Sequence, residues 1–137
     1  MSRRLGRKKA LQALFGIEVG GTDKEVMISR VIENLNISND DIYFTRNLVE
    51  GVLENKEEID ERIIHLSQYW DIKRIGKVEL CVLRIAAYEI LFIEDIPTNV
   101  SINEAIELVK IFASDKSAKF VNGILDMISK VDSSQEK

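Results

Sequence analysis

The stretch that most constrains this chain is Lys77-Val-Glu-Leu-Cys-Val-Leu-Arg-Ile-Ala-Ala-Tyr-Glu-Ile-Leu-Phe-Ile93. It reads as one helix. Wound at about 100° per residue, its charges Glu79, Arg84 and Glu89 fall on three different sides and leave no continuous polar face. A helix of that kind is surrounded by others, so it should be the central post of a helical domain. Three ionisable groups on a mostly buried helix are costly unless each reaches a rim or a partner. They are therefore candidates for contact work, with pairing to neighbouring helices as the plainer alternative.

A length of 137 residues suits one domain, and 45% apolar with 31% charged residues describes a soluble globular chain. The single cysteine, Cys81, lies within the apolar helix. Neither a disulfide framework nor a zinc cluster can be assembled within one chain, which fits a reducing cytoplasm. The basic start is not followed by the apolar region and cleavage site of a secretory signal, and no apolar run is long enough to span a bilayer. The net charge of −4 is unevenly spread. Residues 1–9 carry five bases and no acid, residues 10–72 five bases against thirteen acids, and residues 73–137 nine bases and ten acids. An acidic body with one basic end points to an anionic partner directed to one place.

Seven helices are expected, with no strand of period-2 alternation and no repeat. The first covers residues 2–19, capped by Ser2 and ended by Gly20-Gly21. Arg3, Arg4, Arg7 and Lys8 share an arc of about 140° that becomes apolar at Leu11, Leu14 and Phe15. The simplest geometry lets the first two turns overhang the domain while the later turns pack. Helices follow over about 24–35, 40–54 and 56–68, with Asn55-Lys56 as a kink. The connector 69–76 should tuck Trp70 and Ile72 under the post. Pro97 should close the central helix, and Ser101-Ile-Asn-Glu104 fits a capping box for a sixth helix over 102–113, with Phe112 facing inward. A seventh spans about 117–131. The domain is set at 1–131, with 132–137 as a flexible tail.

Catalysis needs a nucleophile, base or metal with partners that activate it. His65 is the only histidine and falls on an expected exposed face. Cys81 has no histidine signature beside it, and Glu57-Glu58 with Asp60-Glu61 read as a solvated helix face. Binding remains. Lys116 and Lys119, beside Phe120, form a second basic edge. Cations holding phosphate next to a ring that stacks an unpaired base suit single-stranded RNA. Core packing in the stripe Phe120, Val121, Ile124 is the alternative for the ring.

Four stretches resemble the NusB family of transcription antitermination factors in order and spacing. They are Arg7-Lys-Lys-Ala-Leu-Gln-Ala-Leu-Phe15, Val82-Leu-Arg-Ile-Ala-Ala-Tyr-Glu-Ile90, Ile96-Pro-Thr-Asn-Val-Ser-Ile-Asn-Glu-Ala-Ile-Glu-Leu108 and Lys119-Phe-Val-Asn-Gly-Ile-Leu-Asp126. The resemblance covers nearly the whole chain and implies an all-helical fold of two small bundles sharing a core. It implies binding of boxA RNA as a heterodimer with NusE, a small-subunit ribosomal protein. It also implies loading onto RNA polymerase with other Nus factors to suppress premature termination on ribosomal RNA operons. No catalysis and no cofactor are implied. The family's arginine-rich start matches Arg3, Arg4 and Arg7, with Lys8 adding charge and Gln12 at a polar position near RNA. Family RNA contacts also fall at Lys116, Lys119 and Phe120 and near Arg84. The NusE surface should include Phe15, Val19 and Glu79. Many relatives carry tyrosine where Phe15 stands, and some an acid where Lys116 stands. Two other readings stay open: an accessory domain like that of rRNA cytosine methyltransferases, and a protein-interaction module without its own RNA contact. A homodimer of the free protein also stays open.

Overall fold

The computed structural model describes residues 3–33, 38–66 and 75–135, excluding the side chains from 131 onward. The described residues form seven helices: α1 Arg3–Gly20, α2 Lys24–Ile32, α3 Asn39–Glu54, α4 Lys56–Leu66, α5 Lys77–Phe92, α6 Thr98–Phe112 and α7 Asp115–Gln135. The expected anchors Trp70 and Ile72, and the Ser2 cap, lie outside the described residues. Helix α5 is the post. Every residue from Leu80 to Glu89 is buried, and α1, α3, α4, α6 and α7 all pack against it. Helices α1, α2 and α3 form one group and α4, α6 and α7 the other. The two groups share α5, so the core is continuous from Ala10 and Leu48 through Leu83 to Leu125.

Local chemistry sets the helix ends. Gly21 ends α1 in the left-handed region at φ 64°, donating its N–H to the Ile17 carbonyl over 3.1 Å. Asp23 caps α2 by accepting from the backbone N–H groups of Glu25 and Val26, and Ser38 caps α3 by accepting from Asp41. Asn55 separates α3 from α4, and its side-chain amide donates to the Gly51 carbonyl. Gly51 itself sits inside α3 because the Tyr88 ring packs directly on its Cα; a Cβ there would meet that ring.

Several boundaries differ from expectation. Helix α6 begins at Thr98 with Pro97 in the cap position, so Ser101 lies inside the helix and no capping box forms. The fixed φ of proline suits a helix start, and both side chains of the expected box are engaged elsewhere. Pro97 therefore opens α6, and α5 already ends at Phe92. Helix α7 begins at Asp115 and continues to Gln135, four residues beyond 131.

Candidate nucleic-acid and partner interface

Glu79, Arg84 and Glu89 on α5 each have a partner. Glu89, 1% exposed, accepts hydrogen bonds from Arg7 Nε and Nη2, both at 2.8 Å, and from Ser101 Oγ at 2.8 Å. Arg84, 6% exposed, donates Nε and Nη2 to the two Asp60 oxygens at 2.9 Å and lies 3.5 Å from Glu18. Burial alone would lower the Arg84 pKa; the Asp60 and Glu18 carboxylates reverse that and raise it. Glu79 is half-buried, rests against Gly76 and accepts from Ser117 Oγ at 2.8 Å.

These pairings correct three expectations. The first two turns of α1 do not overhang. Gly6, Arg7 and Ala10 are buried with Leu11 and Leu14, so the helix packs on the domain from its second turn, while Arg3, Arg4 and Lys8 stay exposed. Arg7 stands on that buried side because Glu89 neutralises it there, with Ser101 bonded to the same carboxylate, so its guanidinium is held inside the core. Arg84 is withdrawn in the same way. Asp60 belongs to no solvated acidic face; it is the carboxylate that holds Arg84. Pairing partners so distant in sequence leave no local signal.

The remaining basic side chains reach the surface. Arg3 and Lys8 are exposed. Arg3 stacks over the Phe44 ring at 4.9 Å and approaches Asp95 to 3.6 Å. Arg4, with its side chain 63% exposed, forms a two-pronged pair with Glu104 at 2.9 and 2.8 Å. The hydrogen bond to Arg4 holds the Glu104 carboxyl below its usual range. Gln12 accepts from Lys9 Nζ at 3.3 Å. Lys116 and Lys119 are exposed, whereas Phe120 is half-buried and packs against the core.

The two basic edges lie at opposite ends of α5. Arg7 reaches α5 at Glu89, and Ser117 reaches it at Glu79. Ten residues of helix separate them, about 15 Å. Helix α1 runs between the two ends. Its last turns carry Phe15, 37% exposed, and Val19, 57% exposed. Phe15 lines an apolar groove of about 170 Å³ with Leu11, Gln12, Val78 and Phe112. Phe112 was expected to face inward, but it lines this groove because it is the last residue of α6, where the helix leaves the core. Beside the groove, Glu18 gathers Arg84, Lys56 and Lys77 within 3.5–3.6 Å. Burial would raise the Glu18 pKa, but those three cations hold it below the usual range.

Among the described residues no group of three His, Cys, Asp or Glu side chains could hold a metal ion, and no helix is long and apolar enough to cross a membrane. Burial pushes the Cys81 thiol up to about 11, the opposite of what a nucleophile requires.

Comparison with known proteins bears directly on this surface. The model of the NusB family matches residues 4–130. The transcription antitermination protein NusB of Bacillus licheniformis is 48% identical over 93% of this chain and 96% of its own length. That of Heliobacterium modesticaldum is 47% identical over 95% of this chain, which spans 63% of that longer relative. A crystal structure of the antitermination factors NusB and NusE in complex with dsRNA contains a chain 31% identical to this one. It superposes with a TM-score of 0.85, covering 94% of this chain and 96% of the other.

Proposed function

Because the chain belongs to the NusB family, we propose that it acts as a transcription antitermination factor, binding boxA RNA together with NusE. The observation that carries this reading is the match across residues 4–130, on a fold shared with a NusB chain from a complex that also holds NusE and RNA. The family is one of antitermination factors, not enzymes. The RNA follows one face of the domain, from Arg3, Arg4 and Lys8, past Gln12, to Lys116, Lys119 and Phe120. Arg7 and Arg84 take no direct part. They hold α1 and α4 against α5, so their contribution is to the shape of the site. NusE docks at the groove end of α1, on Phe15, Val19 and Glu79. The apolar groove beside them supplies the kind of area a protein partner covers. The pair then joins RNA polymerase with other Nus factors in the cytoplasm and promotes read-through in ribosomal RNA operons.

The deciding experiment is a fluorescence-anisotropy titration of boxA and scrambled RNA, each with and without NusE. Binding should favour boxA, tighten when NusE is added and weaken steeply with salt, because each phosphate contact releases counterions. Equal affinity for both RNAs, with or without NusE, would refute the reading. Glu79→Ala should reduce NusE capture while leaving RNA binding by the free protein nearly unchanged. Lys116→Ala with Lys119→Ala should do the reverse.

A further inference from the structure

The proposed partner surface and the second basic edge meet at one hydrogen bond. Glu79 stands in the first turn of α5, next to Val78, which lines the apolar groove. Its Oε2 accepts the Ser117 hydroxyl at 2.8 Å. Ser117 belongs to the first turn of α7. Its backbone N–H donates to Ser114 Oγ at 3.0 Å, and its Oγ accepts from the Ser114 hydroxyl at 3.1 Å. This run of bonds ends on a carboxylate and ties the start of α7 to the start of α5.

Ser117 is placed to aim the basic edge. The buried Ala118, Val121 and Leu125 lie to one side of it on the helix wheel. Phe120, Lys116 and Lys119 lie to the other side, at about 60°, 100° and 160°. Ser117 is thus the seam between the core stripe and the basic arc, and a bond made there fixes the rotation that directs both lysines. The second Glu79 oxygen points elsewhere. Oε1 lies beside exposed Gly76, where a Cβ would stand 2.5 Å from it, so a residue without a side chain gives the carboxylate its room. An ionised carboxylate has acceptor sites on both oxygens. Glu79 can therefore hold Ser117 and take a donor from a partner at the same time.

We infer that Ser117 is a positioning residue that couples the two interfaces, an inference that rests on the proposed pairing with NusE and RNA. Glu79 is half-buried, so solvent competes for its bonds in the free protein. A partner covering Oε1 excludes that solvent and strengthens the Ser117 bond, which holds Lys116 and Lys119 more firmly toward RNA. Partner and RNA then favour each other by one common factor, whichever binds first.

The test is the ratio of boxA affinities with and without saturating NusE, measured by anisotropy at fixed salt. Ser117→Ala should leave RNA binding by the free protein, and NusE capture without RNA, each within about twofold. It should cut the ratio about fivefold, the scale of an ordinary coupling. Ser117→Thr keeps the hydroxyl and should restore the ratio. Lys8→Ala, on the other basic edge, should weaken RNA binding alike with and without NusE and leave the ratio in place. An unchanged ratio in Ser117→Ala would overturn the coupling while the proposed function stands, and so would a loss that Ser117→Thr does not restore. No tightening by NusE in the unaltered protein would overturn both.

Discussion

Glu89→Ala should be among the most damaging single changes in this domain. The carboxylate is 1% exposed and accepts three hydrogen bonds, two from Arg7 and one from Ser101. Its removal strands the Arg7 cation, itself 4% exposed, in the core. The nearest remaining carboxylate is Glu104, 3.9 Å from Arg7 Nη1 and already committed to Arg4. Breaking a buried pair from one side costs about 3–5 kcal/mol, a large part of the roughly 5–15 kcal/mol that holds a domain together. With a urea m-value of about 1.5 kcal/mol/M, the unfolding midpoint followed by helical circular dichroism should fall by about 2–3 M. The triple change Arg7→Met, Glu89→Leu, Ser101→Ala removes the stranded charge and the orphaned hydroxyl together. It should recover most of the loss, because apolar replacement of a buried ionic set is often neutral. A loss below about 1 kcal/mol for Glu89→Ala would refute the reasoning, and so would a triple variant no more stable than the single one.

Other consequences can be checked in the same preparation. Arg84→Met should lower stability by breaking the Asp60 pair, yet leave RNA affinity per folded molecule within about twofold; a folded variant that loses RNA would return Arg84 to the interface. Cys81, 1% exposed with its thiol near 11, should react with iodoacetamide at pH 8 only after unfolding in urea, and equal rates in native and unfolded protein would contradict its burial. Gly51→Ala should cost about 1–3 kcal/mol by pressing on the Tyr88 ring, and thermal melts should show most of that cost gone in a Tyr88→Ala background. Glu18 and Glu104 both lie below the usual carboxylate value of 4.5. Their stabilisation is present above that unfolded-state value and is lost as pH falls through the lower folded-state values. Urea midpoints should therefore drop below about pH 5, and Glu18→Gln with Glu104→Gln should flatten that drop.

Much of the fold was legible in the sequence. The wheel of residues 77–93 left no polar face, and the structure places that helix at the centre with five others around it. Apolar periodicity located the other helices to within a few residues, because burying one stripe of each helix is what makes it form. Element ends were less secure. Ser101-Ile-Asn-Glu104 has the residues of a capping box, but its serine and glutamate bind Glu89 and Arg4, twelve or more residues away in sequence. A cap motif specifies only what its side chains can do, and the tertiary partners decided which bonds they made.

The same division runs through the candidate site. The sequence by itself determined that one end of the chain is basic, that Lys116 and Lys119 form a second basic edge, and that Glu79, Arg84 and Glu89 ride on the central helix. Those are properties of residue identity and helical spacing. The structure alone decided which cations are available. Arg3, Arg4 and Lys8 stay at the surface, while Arg7, on the same arc, is drawn inside by a glutamate 82 positions away, and Arg84 by Asp60, 24 positions away. A guanidinium is tolerated in a core only where a carboxylate meets it at hydrogen-bonding distance. That meeting depends on how whole helices dock, which no local pattern of residues encodes.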